Sequence, residues 1–196
     1  MKFRATGVLC VLVLGRVLAQ EVVPSEVPPI APRSADSFDC VDAFDVVAAF
    51  STLQCGPQSV ASGDALRLRT VGQRLLDIGQ VSAQELSRLT IEFCPLGSGT
   101  GIVPANGQIY LDDGLRLASD DGIAEVLAHE ITHTRQFSKM GAREFKCAYV
   151  RAMAQCGGCQ DRRHALEREA YAVQDEVRRI LLAAQGIKVP ERAPAP

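Results

Sequence analysis

The chain has 196 residues, a formal net charge of −2, 47% hydrophobic residues and no tryptophan. With its ends set aside, about 150 residues remain, enough for one domain with a core of ordinary size. Charges of both signs are mixed along it, which excludes the basic footprint of a nucleic-acid-binding protein.

Residues 1 to 19 read as a secretory signal peptide. Lys2 and Arg4 form the charged start, residues 7 to 14 the apolar stretch, and Val17, Leu18 and Ala19 the positions a signal peptidase reads. Cleavage is expected before Gln20. The apolar run is too short to span a bilayer, so no stable membrane insertion is expected. Cys10 leaves with this leader, and Cys40, Cys55, Cys94, Cys147, Cys156 and Cys159 remain. An even number in an exported chain predicts three disulfides formed in an oxidising, extracellular compartment. Many pairings are open; local ties are the simplest, with Cys40–Cys55 the easiest.

Residues 20 to 36 hold Pro24, Pro28, Pro29 and Pro32 with little apolar periodicity, which predicts an extended linker. The folded domain is expected over residues 37 to 186. Val41, Phe44, Val47, Ala48 and Phe50 stand near helical spacing, and a second helix opens at Ser62 with Leu66, Leu68, Val71, Leu75 and Leu76. Residues 82 to 89 read as a short helix capped by Ser82, with Glu85 at the capping-box position.

Strand material follows. Residues 91 to 94 alternate, and residues 95 to 101 form a glycine-rich turn. Asn106-Gly107 between residues 101–103 and 108–111 is a hairpin signal. The glycine run 97 to 101 lacks the Lys-Ser/Thr ending of a phosphate loop, and Asp112 and Asp113 lack the further oxygen ligands of a calcium loop.

Ser119, Asp120 and Asp121 suit a helix N-terminus, and that helix is expected to reach Met140 and stop at Gly141. Another carries Phe145, Ala148, Tyr149 and Ala152. Cys156-Gly157-Gly158-Cys159 follows it; thioredoxin-like C-x-x-C sites open a helix after a strand, so these cysteines are expected to be structural. The last helix runs from about His164 to Ala184, with Leu166, Ala170, Val173, Val177 and Ile180 as its apolar stripe. The tail after Gly186 is expected to fray. Together these elements predict an α+β fold, mainly helical, with a small antiparallel sheet before the helix of residues 119 to 140.

That helix contains His129-Glu130-Ile131-Thr132-His133, an H-E-x-x-H pattern. Residues four apart lie one turn above each other on one helix face, so both imidazoles can address one ion. Glu130 then sits where it can take a proton from a water held by that ion, the spacing of zinc peptidases. Val126, Leu127, Ala128 and Ile131 make the segment apolar, as a buried helix requires. A catalytic zinc site needs a third protein ligand. A third histidine close behind, as in H-E-x-x-H-x-x-G-x-x-H, is absent because Lys139 occupies its position. The candidates are His164, Glu167 and Glu169. The two glutamates lie about 200° apart on a helix and cannot both face one ion, but the apolar stripe leaves the choice open. The glutamate that is not a ligand is expected to pair with Arg162, Arg163 or Arg168.

The segment Ala128-His129-Glu130-Ile131-Thr132-His133-Thr134-Arg135-Gln136, with the distal Glu167-Arg168-Glu169-Ala170-Tyr171, resembles gluzincin-type metallopeptidases. The likeness is closest to the H-E-[LI]-T-H-x-x-Q proteins of the extracellular contractile-injection-system core-domain family, and covers roughly residues 88 to 180. The resemblance implies a zincin-like domain in which Glu167 is the third zinc ligand and Ala170 the small residue behind it. Tyr171 stands where many relatives carry aspartate, so its phenol is open to bonding a ligand, stabilising an oxyanion or packing. The resemblance also implies an edge strand that pairs with extended peptide, a role assigned to residues 108 to 111.

The leading functional expectation is a secreted metallopeptidase with one Zn²⁺ per chain, bound by His129, His133 and Glu167, with Glu130 as general base and a peptide or protein as substrate. A zinc-binding scaffold or effector without peptidase turnover is the alternative.

Overall fold

The computed structural model describes residues 39–55, 62–97 and 99–188. The expected signal peptide, the expected proline-rich linker and the tail from residue 189 lie outside the described residues.

Capping side chains set most boundaries. Asp39 accepts from the Val41 amide and opens α1 (Cys40–Ser51). After α2 (Ser62–Asp77), Ser82 accepts from the Glu85 amide to open α3 (Ala83–Leu86). Ser119 accepts from the Gly122 amide at the head of α4 (Asp120–Met140), whose first turn carries Asp120 and Asp121 against the positive end of the helix dipole. Gly141, at φ 82°, ends α4, and α5 (Ala142–Gln155) begins at once. The last helix is α6 (Ala165–Ala184).

Three strands lie between α3 and α4: β1 (Thr90–Cys94), β2 (Gly101–Ala105) and β3 (Gln108–Asp112). A 3-10 turn, Asp113–Leu117, leads on to α4. The Asn106-Gly107 hairpin forms as expected and pairs β2 antiparallel to β3. The sheet as a whole is mixed and not antiparallel, because β1 pairs with β3 in parallel and the order is β1-β3-β2. At the end of β3 the Asp112 amide donates to the Thr100 carbonyl and Asp112 Oδ2 accepts from the Leu96 amide. Ile109 and Leu111 are fully buried, which fits a central position for β3. The strand expected at the edge is therefore the middle one. The edge strand beside α4 is β2.

The core is built around α4, which is buried on most sides from Ile123 to Phe137. Leu127 and Ile131 belong to one apolar cluster with Val71 and Leu75 of α2, Ile109 and Leu111 of β3, and Val177 and Leu181 of α6. Phe137 stacks on Phe145 at 3.9 Å, and Phe44 meets both edge-on, which seats α1 against α4 and α5. Arg135 makes two bonds to Glu85, of 2.6 and 3.0 Å, that pin the middle of α4 to α3.

The disulfides are Cys40–Cys147, Cys55–Cys94 and Cys156–Cys159. The expected Cys40–Cys55 pair does not form. Twelve helical residues put the two ends of α1 about 18 Å apart, beyond the reach of one disulfide. Cys40 instead joins α1 to α5, and Cys55 joins the segment after α1 to β1. Three disulfides are what an oxidising compartment maintains, and among the described residues no helix is long and apolar enough to cross a membrane.

Candidate metal centre

Two helices deliver the site. On α4, His129 and His133 stand one turn apart and are 7% and 5% exposed. The third group comes from α6, where Glu167, Ala170, Val177 and Leu181 share the buried face. Glu167 thus turns inward toward the histidines, while Glu169 lies on the exposed side.

The distances between donor atoms are short. His129 Nε2 lies 3.2 Å from His133 Nε2 and 3.0 Å from Glu167 Oε2, and His133 Nε2 lies 3.5 Å from Glu167 Oε1. A tetrahedral ion with bonds of about 2.0–2.1 Å separates its ligand atoms by about 3.3–3.4 Å. The spacing of the three groups fits that edge. Two imidazole nitrogens and a carboxylate converging in a buried space favour a positive charge between them, and these three groups could hold a metal ion.

The surroundings orient each donor. His133 Nδ1–H donates to Gln136 Oε1 at 2.8 Å, which turns Nε2 toward the centre. The Gln136 amide nitrogen donates to Glu169 Oε2 and to the Leu166 carbonyl, so this residue ties α4 to α6. Glu169 therefore serves Gln136, and not an arginine as expected from the sequence. Arg162 and Arg163 pair with Asp175 and Asp161. Glu167 Oε1 accepts from the Tyr149 hydroxyl of α5 at 2.6 Å. His164 is the N-cap of α6: its Nδ1 accepts from the Glu167 amide and its Nε2–H donates to the Tyr149 carbonyl at 3.0 Å. Both its nitrogens are occupied, which removes it as a ligand while making it the brace for Glu167 and Tyr149. The Tyr171 ring packs edge-on against His129, with centroids 4.6 Å apart, and the Arg162 guanidinium lies over the ring, 4.8 Å from its centroid. The hydrogen bond to the carboxylate is made by Tyr149, not by Tyr171. His129 Nδ1 is buried and has no hydrogen-bond partner among the described residues.

The electrostatics follow from this packing. Burial disfavours the Glu167 carboxylate, yet hydrogen bonds from His129, His133 and Tyr149 outweigh it and hold the group well below the usual range. Burial alone would push His133 down, but its bond to Glu167 and the charge on Glu130 lift it to about 8. The Tyr149 phenol is pushed up by burial and by the neighbouring Glu167, so it stays a hydrogen-bond donor. Glu130 is 4% exposed, and burial raises it against the pull of His133 and His129.

Glu130 has a second neighbour. Gly101, the first residue of β2, lies so close that a Cβ there would stand 2.5 Å from Glu130 Oε1. The glycine run that reads as a turn thus carries the one position where β2 can pass over the Glu130 carboxylate. A cavity of about 360 Å³ opens onto the four site residues, walled by α1, α5, α6 and residues 99–103.

Comparison with protein-family models, with curated proteins and with solved structures finds no match for this chain. The chemistry of the site rests on its own geometry. All four residues expected from the sequence, His129, Glu130, His133 and Glu167, meet in one place. Gln136 was open to sequence reasoning, since it lies three residues after His133 on the same helix face. Tyr149 and Gly101 carry no local signal, because their roles depend on how α5 and β2 pack.

Proposed function

We propose that this chain is a secreted zinc-dependent metallopeptidase of the gluzincin type. The observation that carries the reading is the convergence of His129, His133 and Glu167 within a tetrahedral edge of one another, with the buried Glu130 carboxylate beside them in a cavity. Nitrogen and oxygen donors of this kind suit zinc. Zn²⁺ bound there supplies a Lewis acid and a water acidified toward neutrality. The meeting of Glu167, rather than Glu169, with the histidines supports the gluzincin register.

The protein's residues divide the work. His129 and His133 would offer Nε2 atoms, His133 giving up to the metal the Nε2 proton that Glu167 favours, while Gln136 keeps the proton on its Nδ1. Glu167 offers the anionic oxygens, held in place by Tyr149 and by the cap at His164. Glu130, next to His129 on α4, has its carboxylate under β2 and would be the group that takes a proton from the attacking water and returns it to the leaving amine. An extended peptide is held along β2, the edge strand, so that its carbonyl comes to the centre.

Metal analysis and a peptide-library cleavage assay on the mature protein test this. Wild type should hold one zinc per chain and cleave peptides. Glu130→Gln should keep the zinc and lose most hydrolysis, because an amide cannot take the proton, whereas Glu167→Ala should weaken zinc binding itself. Stoichiometric zinc in a His129→Ala, His133→Ala double variant sinks the site, and undiminished hydrolysis by Glu130→Gln sinks the mechanism.

A further inference from the structure

The three disulfides differ in what they join. Cys40–Cys147 and Cys55–Cys94 span sequence separations of 107 and 39, and each links elements far apart in the chain. Cys156–Cys159 spans a separation of 3 and links a turn to itself. The constraint that a disulfide puts on the unfolded chain grows with the loop it closes, so this bond adds least to the stability of the fold. It lies in the connection from α5 to α6, and that connection belongs to the metal centre. α5 brings Tyr149 and α6 brings Glu167, and between them His164 bonds the Tyr149 carbonyl and the Glu167 amide. Gln160 lines the cavity.

Backbone hydrogen bonds leave a gap in this connection. Gly157 and Gly158 are held to α5, their amides donating to the Ala154 and Met153 carbonyls. From Asp161 onward the chain is held to the head of α6: the Asp161 carbonyl accepts from the His164 amide, and Arg162 pairs with Asp175. Cys159 and Gln160 make no backbone–backbone hydrogen bond among the described residues. The bond from Cys159 to Cys156 is therefore what fixes them to the end of α5. The way to that bond is open. Cys159 is buried and Cys156 half-buried, and a Cβ added at Gly157 or Gly158 would meet nothing within 4 Å. The outer face of the turn thus leaves room for a thiolate to approach Cys156 Sγ.

We propose that Cys156–Cys159 is a thiol–disulfide exchange site, opened by a dithiol reductant, and that its opening lowers the zinc affinity of the centre. One thiolate of the dithiol attacks Cys156 Sγ, the S–S bond breaks, and Cys159 leaves as a thiolate that takes up a proton. The second thiolate of the reductant attacks its own sulfur in the mixed disulfide and releases Cys156, which is protonated in turn. Two electrons pass to the protein, and the reductant ends as a disulfide. The motif follows a helix instead of opening one after a strand, so it is the bond acted upon and not a thioredoxin-like agent. Once it is open, Cys159 and Gln160 are untied, and His164 no longer holds Tyr149 and Glu167 from a fixed point. The affinity change rests on the zinc reading of the site; the exchange does not.

The test takes the oxidised mature protein through dithiothreitol buffers of rising reduced-to-oxidised ratio, traps free thiols with iodoacetamide and locates them by peptide mapping. Cys156 and Cys159 should be labelled together at a ratio that leaves the other two disulfides closed. Chelator competition then compares zinc affinity in the oxidised protein, in this selectively opened and alkylated protein, and in a Cys156→Ser, Cys159→Ser double variant. Both altered forms should bind zinc about tenfold more weakly, and the variant should not respond further to the same buffer. Opening of Cys40–Cys147 or Cys55–Cys94 at an equal or milder ratio, or unchanged zinc affinity in both altered forms, overturns the proposal. If the oxidised protein binds no zinc, the metal reading fails, and hydrogen exchange at the His164 and Glu167 amides decides the exchange site instead. Exchange there should quicken by about tenfold when the bond is open, and unchanged rates overturn the site.

Discussion

Replacing Gly101 with alanine tests whether Glu130 acts through its position. The three atoms nearest to an added Cβ all belong to Glu130: Oε1 at 2.5 Å, and Cδ and Cγ each at 2.7 Å. Ordinary contact begins at 3.4 Å, so the carboxylate or the strand must move by about 0.9 Å. Glu130 lines the cavity, so its carboxylate is the part that gives way, swinging out of its place under β2. A misplacement of about 1 Å at a reacting group costs on the order of 100-fold, equivalent to about 2.7 kcal/mol on the barrier. The metal ligands are not among the atoms struck, so metal content should be unchanged. The assay is kcat on the peptide that wild type cleaves best, with metal content by mass spectrometry. Gly63→Ala is the control, since a Cβ there meets nothing within 4 Å. Full kcat in Gly101→Ala, or loss of the metal, would refute the assignment of Gly101 as the seat of the Glu130 side chain.

Two further outcomes follow from contacts that cross between elements. Tyr149→Phe removes the 2.6 Å hydrogen bond to Glu167 Oε1 and should lower metal affinity by about 10- to 100-fold, measured by competition with a chelator; unchanged affinity rules out Tyr149 as the group that positions Glu167. Replacing Cys40 and Cys147 together with serine opens a link across a sequence separation of 107, which chain entropy values at up to about 4–5 kcal/mol. The thermal midpoint under non-reducing conditions should fall by several degrees, and an unchanged midpoint, or a peptide map linking Cys40 to Cys55, contradicts the pairing.

The sequence alone determined what is local. Ser119 and Gly141 bound α4 because a cap and a left-handed residue act within a few positions of themselves. The facing of His129 and His133 follows from helical period, and the Asn106-Gly107 hairpin from the backbone that its glycine permits, at φ 79°. Tertiary structure decided the rest, because each choice turns on which surfaces meet. The rotation of α6 that brings in Glu167 and leaves Glu169 outside comes from packing Ala170, Val177 and Leu181 inward. Periodicity bounds that rotation but does not choose between glutamates on either side of the stripe. Cys40 finds Cys147 because Phe44 docks α1 on α5, a contact between residues about a hundred positions apart. The central place of β3, and with it the edge role of β2, depends on which strand the helices cover. A strand's own residues state that it is buried, and leave its neighbours to the fold.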